Sequence, residues 1–314
     1  MTAVTLRNCA TRYIALRQAL GVQVRPIERL VFDFVTYAES LGQTEAPTSQ
    51  MAVNWACNGA CSQGRHARRL LVIRGFLAYA RAWLPQTQVP PTGLLPQARR
   101  PTPHIFTDSE IAALLWQARA LEPRDSLRPH TYKTLIGLLV SCGLRIGEAV
   151  RLRIADVQLD TTPPLVHIAD SKFHKSRLVV LHPTVATALG RYALQRQRLG
   201  FDHCGETFFV SEKPGPLPAP SARRTFVQLA RQAGIRPPTG PGPHLHDLRH
   251  TFAVRCTLRW YRLGIDVHER LPELSVYLGH VRPQDTYWYL SATPELLAAA
   301  AKRFAAYVKR GGDR

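Results

Sequence analysis

The sequence predicts a mainly α fold with a small β-sheet (α+β), built as a helical N-terminal part followed by a larger mixed part. Three features predict this. Apolar residues recur at the helical period of about 3.6 through much of the first hundred positions, and again beyond about residue 184. Over residues 164–183 the pattern changes to short β-rich runs, as strands require. Six prolines fall within residues 85–103, a composition that keeps the chain extended and interrupts regular structure.

Leu6, Ala10, Tyr13, Ile14 and Leu20 mark a first helix. Ile27, Leu30, Val31, Phe34, Val35, Ala38 and Leu41 mark a second. Pro26 sits in its first turn, where a missing N–H costs nothing, and Gly42 lies just past its end. A third helix runs from Leu70 to Leu84 and is closed by Pro85. Arg65, His66, Arg68, Arg69 and Arg74 cluster at its entry, a pattern that fits either a phosphate-backbone contact or a solvated helix face. Residues 1–88 therefore read as one helical domain. Residues 89–104, with Arg99 and Arg100, read as a stiff basic linker, and residues 105–314 as a second domain. If fully extended at roughly 3.1 Å per residue, the proline-rich stretch is long enough for the two domains to hold one duplex from two sides.

The second domain opens with Thr107, placed to cap a helix, and Glu110 completes a capping box with it. A helix over about 130–142 turns at Gly143. Val166, Ile168 and the run Leu178-Val179-Val180-Leu181 then form strands. They are joined by the polar basic loop Asp170-Ser171-Lys172-Phe173-His174-Lys175-Ser176-Arg177, with a lysine at or near the tip. Helical patterns resume beyond it, interrupted at 213–220 and 236–243. The chain finishes in an alanine-rich amphipathic helix with Leu296, Leu297, Ala300, Phe304 and Val308 along one stripe.

Composition narrows the partner. Lys+Arg number 41 against 22 Asp+Glu, a net charge of +19, which favours a polyanion such as nucleic acid. The excess is distributed: residues 1–100 hold twelve arginines, no lysine and four acids. A hydrophobic content of 45% excludes general disorder. No apolar run approaches the roughly 20 residues of a membrane span, and the first residues lack a basic-then-apolar leader, so the expected location is cytoplasmic with no membrane partner. The six cysteines, at 9, 57, 61, 142, 204 and 256, are scattered as reduced thiols are. Cys57 and Cys61 would share a helix face near His66, but no second ligand pair follows, so no metal is expected.

Three short motifs carry chemistry: Gly143-Leu144-Arg145-Ile146-Gly147-Glu148, His246-Asp247-Leu248-Arg249-His250, and Leu278-Gly279-His280 with Tyr289 nine residues on. Each is weak or moderate alone. Arginine forks suit phosphate oxygens, histidines suit proton transfer, and a phenol suits nucleophilic attack on phosphorus. In this order, with a basic hairpin between the first two, the set resembles the catalytic domain of the tyrosine recombinases, the phage integrase and Xer family. The likeness covers about residues 106–291 in motif and the helical N-terminal region, which would be its core-binding domain, in architecture only.

The resemblance implies a catalytic set of Arg145, Lys172, His246, Arg249, His280 and Tyr289. Tyr289 would attack and form a covalent 3′-phosphotyrosine, and Arg145 and Arg249 would grip the phosphate. His246 would exchange the tyrosine proton, His280 would bond the phosphate, and Lys172 would protonate the departing 5′ oxygen. Glu148 would support Arg145 rather than touch substrate. Arginine charge would stand where many nucleases use a metal, so no metal or other cofactor is expected. Lys175 competes with Lys172, Tyr287 with Tyr289 as a less favoured packing residue, and His244 with His246. Arg65, Arg68, Arg69, Arg99, Arg100, Lys175 and His244 are candidate DNA contacts. The implied activity is site-specific recombination of double-stranded DNA, in integration or transposition, by a homo-tetramer or by a tetramer shared with related recombinases. The alternatives are relaxation of a single duplex, as in type IB topoisomerases, and DNA binding without catalysis.

Overall fold

A computed structural model describes residues 5–22, 24–96, 102–169, 176–212, 215–280, 282, 284–287 and 294–311. The chain divides into two compact units, residues 1–101 and 102–314. No described helix is long and apolar enough to cross a membrane.

The described residues of the first unit form four helices, α1 (Leu6–Ala19), α2 (Arg25–Ser40), α3 (Ser49–Cys57) and α4 (Gln63–Ala80). Their apolar faces close on Leu6, Ile14, Val31, Phe34, Val35, Trp55, Ile73, Phe76 and Leu77. Helix α3 is absent from the periodicity reading because its 9 residues are too few for the period to stand out. Thr48 starts it by accepting the Met51 N–H at 3.1 Å. The helix stops at Cys57, and Gly59 has φ 95°, so Cys57 and Cys61 do not share a helix face. Helix α4 begins at Gln63 rather than Leu70, which puts Arg65, Arg68 and Arg69 on its first two turns. Leu20 falls outside α1 and is 70% exposed, because the helix ends at Ala19. Val89 and Leu95, inside the proline-rich stretch, pack on this core. The Gln88 N–H also donates to the Pro47 carbonyl at 2.9 Å. Apolar anchors override the extended tendency of the prolines as far as residue 95.

The second unit starts with α5 (Asp108–Arg119), capped by Thr107 and Glu110 as the sequence predicts: the Glu110 N–H donates to Thr107 Oγ1 at 3.2 Å, and the Thr107 N–H to Glu110 Oε2 at 2.8 Å. Helix α6 (Leu127–Cys142) buries Leu135, Ile136, Leu138 and Leu139. It ends at Gly143 with φ 62°, and a Cβ there would lie 2.5 Å from the Phe252 ring and 3.0 Å from Leu278. Glycine is required twice over, by conformation and by space. A short helix α7 (Ile146–Ala149) follows.

Strands β1 (Val157–Gln158), β2 (Leu165–Ile168) and β3 (Arg177–Val180) form one antiparallel sheet in that order, with Val166 opposite Val179 and Ile168 opposite Arg177. Val166, Ile168 and Val179 face the core, while Leu178 and Val180 are exposed. Alternation is therefore kept even where the outward residues are apolar. Strand β1 is too short to register in sequence.

Helices α8 (Pro183–Arg198), α9 (Ala219–Gln232), α10 (Leu245–Arg262), α11 (Val267–Leu278), α12 (Gln284–Tyr287) and α13 (Pro294–Gly311) complete the unit. Helix α13 contributes Leu296 to a small core with Val254, Leu274 and Leu278. Leu297 and Phe304 of its predicted stripe are 56% and 69% exposed.

Thr251, fully buried on α10, accepts the Phe106 N–H at 2.9 Å and donates to the Asp247 carbonyl at 2.8 Å, so it fastens the start of the second unit to α10. Thr251→Val keeps the shape but strands a buried N–H. It is expected to lower stability by about 1–3 kcal/mol in denaturant melts, with Thr251→Ser closer to wild type.

Candidate active site

The site is built on the C-terminal end of α11. Gly279 takes φ 68° there, and the N–H groups of Gly279 and His280 turn back to the carbonyls of Val276 and Ser275, both at 2.9 Å. The next three carbonyls each accept from a different arginine. Arg177 Nε donates to Tyr277 O at 2.7 Å, Arg249 Nη2 to Leu278 O at 2.7 Å, and Arg145 Nη2 to Gly279 O at 2.9 Å. The negative end of a helix, with its unpaired carbonyls, gathers cations, and here it gathers three.

Arg249 is almost wholly buried on α10, and its Nη1 also donates to Gly143 O at 2.8 Å. It therefore ties the α6 turn to the α11 turn. Arg145, just ahead of α7, is more open, with a side chain 27% exposed. Its Nη1 donates to Glu148 Oε1 at 2.8 Å and its backbone N–H to Glu148 Oε2 at 3.0 Å. A guanidinium has five N–H donors, so Arg145 keeps several for a bound anion.

Glu148 is buried and also receives Arg177, whose Nη1 reaches Oε1 at 3.1 Å and Nη2 reaches Oε2 at 2.8 Å. Burial alone pushes the Glu148 carboxyl up. The bonds and charge of Arg177, then the bonds from Arg145, more than reverse this and hold it at about 2.

His246 lies one turn before Arg249 on α10, its ring edge-to-face with that of His250 at 4.6 Å. It is exposed at the rim. Crowding of its ring lowers its pKa most, followed by the charges of Arg249 and His244, and more weakly Arg145. Asp247 opposes them, and the result is about 4. The imidazole is neutral at physiological pH. His244 precedes α10, and both its N–H (2.9 Å) and its ring bond the buried Asp247, whose carboxylate raises the His244 pKa. His244 thus closes the start of α10, and its ring remains exposed.

His280 follows the α11 turn, with Nδ1 2.7 Å from the hydroxyl of Thr286, a buried residue on α12. Where that hydroxyl donates, the ring proton sits on Nε2, the other nitrogen. Tyr287 is 45% exposed and so is not a buried packing residue.

Arg145, Glu148, Arg249 and His280 thus meet around one helix end, with His246 near enough for the charges of Arg249 and Arg145 to act on it. Lys172, Lys175, Trp288, Tyr289, Arg99 and Arg100 lie outside the described residues. In the first unit, Arg65 and Arg68 are exposed, whereas Arg69 stacks on Trp55 at 4.1 Å and donates to Asn58 O at 2.8 Å. Arg177 and Thr286 were not singled out from sequence. The only signal for Arg177 is its place at the mouth of the return strand, and for Thr286 there is none.

Residues 105–295 match the phage integrase family. The chain belongs to that family, the tyrosine recombinases, enzymes that cleave and rejoin DNA in site-specific recombination. This favours recombination over topoisomerase-like relaxation and over binding alone. A Sinorhizobium fredii protein named as an integrase/recombinase is 39% identical over 310 residues, covering 95% of this chain and 96% of its own. Tyrosine recombinase XerD of Mycobacterium tuberculosis is 31% identical over 235 residues, covering 74% of this chain and 70% of its own. Among solved structures, the Tn1549 transposon integrase in complex with transposon right end DNA superposes with a TM-score of 0.68 at 16% identity, covering 96% of this chain and 100% of that one. XerH bound to its difH substrate gives 0.67 at 18% identity, covering 92% and 82%. Both share the fold.

Glu148 has a folded pKa below its ordinary 4.5. Its stabilisation is therefore present above that value and is lost as pH falls from about 4.5 toward 2. Melting temperature of the wild type is expected to drop across this window. The melting temperature of Glu148→Gln should start lower and change less.

Proposed function

We propose that Tyr289 attacks the scissile phosphorus, forming a 3′-phosphotyrosine, while the 5′ oxygen leaves with a proton from Lys172, or from Lys175 if the loop presents that residue instead. The 5′ hydroxyl of another strand then attacks this bond and releases the tyrosine. The energy of the phosphodiester is kept in the covalent intermediate, so rejoining needs no nucleotide. Neutral His246 takes the phenol proton in cleavage and returns it in rejoining. Arg145 and Arg249 hold the nonbridging oxygens, and His280 donates to one of them.

The observation that carries this reading is the convergence of Arg145 and Arg249 on the turn that presents His280. Arg145, Arg177 and Arg249 set against Glu148 give the cluster's arginines and carboxylate a net charge of +2. A phosphodiester gains negative charge on its way to the pentacoordinate transition state, and a preorganised positive site stabilises that state most. The tyrosine assignment rests on its offset from His280.

The test is covalent trapping on a pool of nicked duplexes with a randomised core, followed by peptide mapping and sequencing of the captured DNA. Wild type and Tyr287→Phe are expected to form the adduct, and Tyr289→Phe to bind DNA without forming it. An adduct mapped to Tyr287 overturns the assignment. Strands joined between two duplexes identify recombination.

We further propose that residues 1–88 form a DNA-binding core-binding domain, 89–104 a linker and 105–314 the catalytic domain. The assembly on DNA is a homo-tetramer working in the cytoplasm, in integration or transposition. The exposed Leu297 and Phe304 of α13 offer an apolar face for a neighbouring protomer. Arg65 and Arg68 are free to meet phosphate, while Arg69 is engaged by Trp55 and Asn58. Arg99, Arg100, Lys175 and His244 are further proposed contacts. Phosphate contacts from both units make affinity fall steeply with salt. The fragment 102–314 should bind the captured sequence more weakly, with a shallower salt slope. Equal affinity and slope would assign the N-terminal unit to protein contacts.

A further inference from the structure

Arg177 is the one arginine of the site with no part in the reaction proposed above. It opens β3, five positions after Lys172 and two after Lys175. Its side chain is 10% exposed. Its three nitrogens are all engaged: Nε with Tyr277 O at 2.7 Å, and Nη1 and Nη2 with the two oxygens of Glu148 at 3.1 and 2.8 Å. A second observation shows how closely it is fitted. A Cβ on Gly279 would lie 2.7 Å from Arg177 Nη1, so the turn that presents His280 must be glycine for this guanidinium as well as for its φ of 68°.

Glu148 explains the arrangement. Its carboxylate has about four acceptor positions. Two are filled from Arg145, by Nη1 at 2.8 Å and the backbone N–H at 3.0 Å, and two from Arg177. Without Arg177, a buried carboxylate would face Arg145 alone and draw both its charge and its donors inward. An unpaired buried charge costs more than the pair it belonged to, so Arg145 would be held to satisfy it.

We propose that Arg177 is a positioning residue: by neutralising Glu148 it leaves the Arg145 guanidinium free for the scissile phosphate, and by bonding Tyr277 it fixes the turn that carries His280. It also anchors the strand end next to the lysine loop to the same carboxylate. The proposal rests on the site reading given above, in which Arg145 binds phosphate.

The experiment uses the full chain and the nicked duplex captured in the trapping assay. Single-turnover cleavage at saturating DNA, DNA affinity and melting temperature are measured for Arg177→Met, Arg177→Lys, Glu148→Gln/Arg177→Met and Arg145→Lys. Arg177→Met is expected to keep its DNA affinity and to cleave on the order of 10²-fold more slowly, the scale of loss that a misplaced catalytic group produces. Arg177→Lys keeps the charge but cannot span both oxygens and the carbonyl, so its rate should fall between. The double variant, with no carboxylate to neutralise, should cleave faster than Arg177→Met, a rescue that a merely structural role would not give.

Wild-type cleavage in Arg177→Met overturns the proposal, as does a double variant no faster than Arg177→Met. Should Arg177→Met fail to fold, Arg177→Lys decides: a reduced rate at unchanged affinity supports the proposal, and a wild-type rate overturns it. Arg145→Lys separates the two readings. Normal cleavage there removes Arg145 from the site. Slow Arg145→Lys with normal Arg177 variants removes only Arg177.

Discussion

The structure of the site depends on how the last carbonyls of α11 are satisfied. A helix end leaves carbonyls without partners, and a buried one needs donors from elsewhere. Here the donors are guanidiniums from three distant parts of the chain: Arg145 beside α7, Arg177 on β3 and Arg249 on α10. One unmet backbone requirement therefore brings together the α6–α7 turn, the sheet and two long helices. The groups proposed to bind phosphate are held there by bonds the fold needs in any case. Positive charge is concentrated before any substrate arrives, and Glu148 is the internal counter-charge that makes this tolerable.

Much of this was legible in the sequence because it rests on local rules. Thr107 and Glu110 announce a helix start through a three-residue spacing, and the backbone forms that capping box. Gly143 marks a turn because left-handed backbone favours glycine, and it takes positive φ. The spacing of His246 and Arg249 puts them on one helix face. The change of period at 164–183 yields the β2–β3 pair.

What was not legible depends on tertiary contact. Helix α3 is too short for its period to stand out, and the start of α4 lies in a polar run where apolar spacing gives no signal. Val89 and Leu95 read as linker because the prolines around them dominate the pattern, yet both find apolar surface on the first unit. Arg69 resembles its neighbours in sequence and differs only because Trp55 is beneath it. Arg177 and Thr286 escape notice for the same reason. Each acts on a residue far away or in another element, and nothing in its immediate neighbours advertises that.

The low basicity of His246 bears on how its proton moves in the proposed reaction. A ring with a pKa of about 4 is a weak acceptor for a phenol proton and, once protonated, a strong donor. In the proposed reaction, cleavage loads that proton onto His246 and rejoining returns it to the tyrosine oxygen. One ring thus serves both half-reactions, as acceptor in cleavage and donor in rejoining, and a single proton kept within the site couples the breaking of a strand to its resealing.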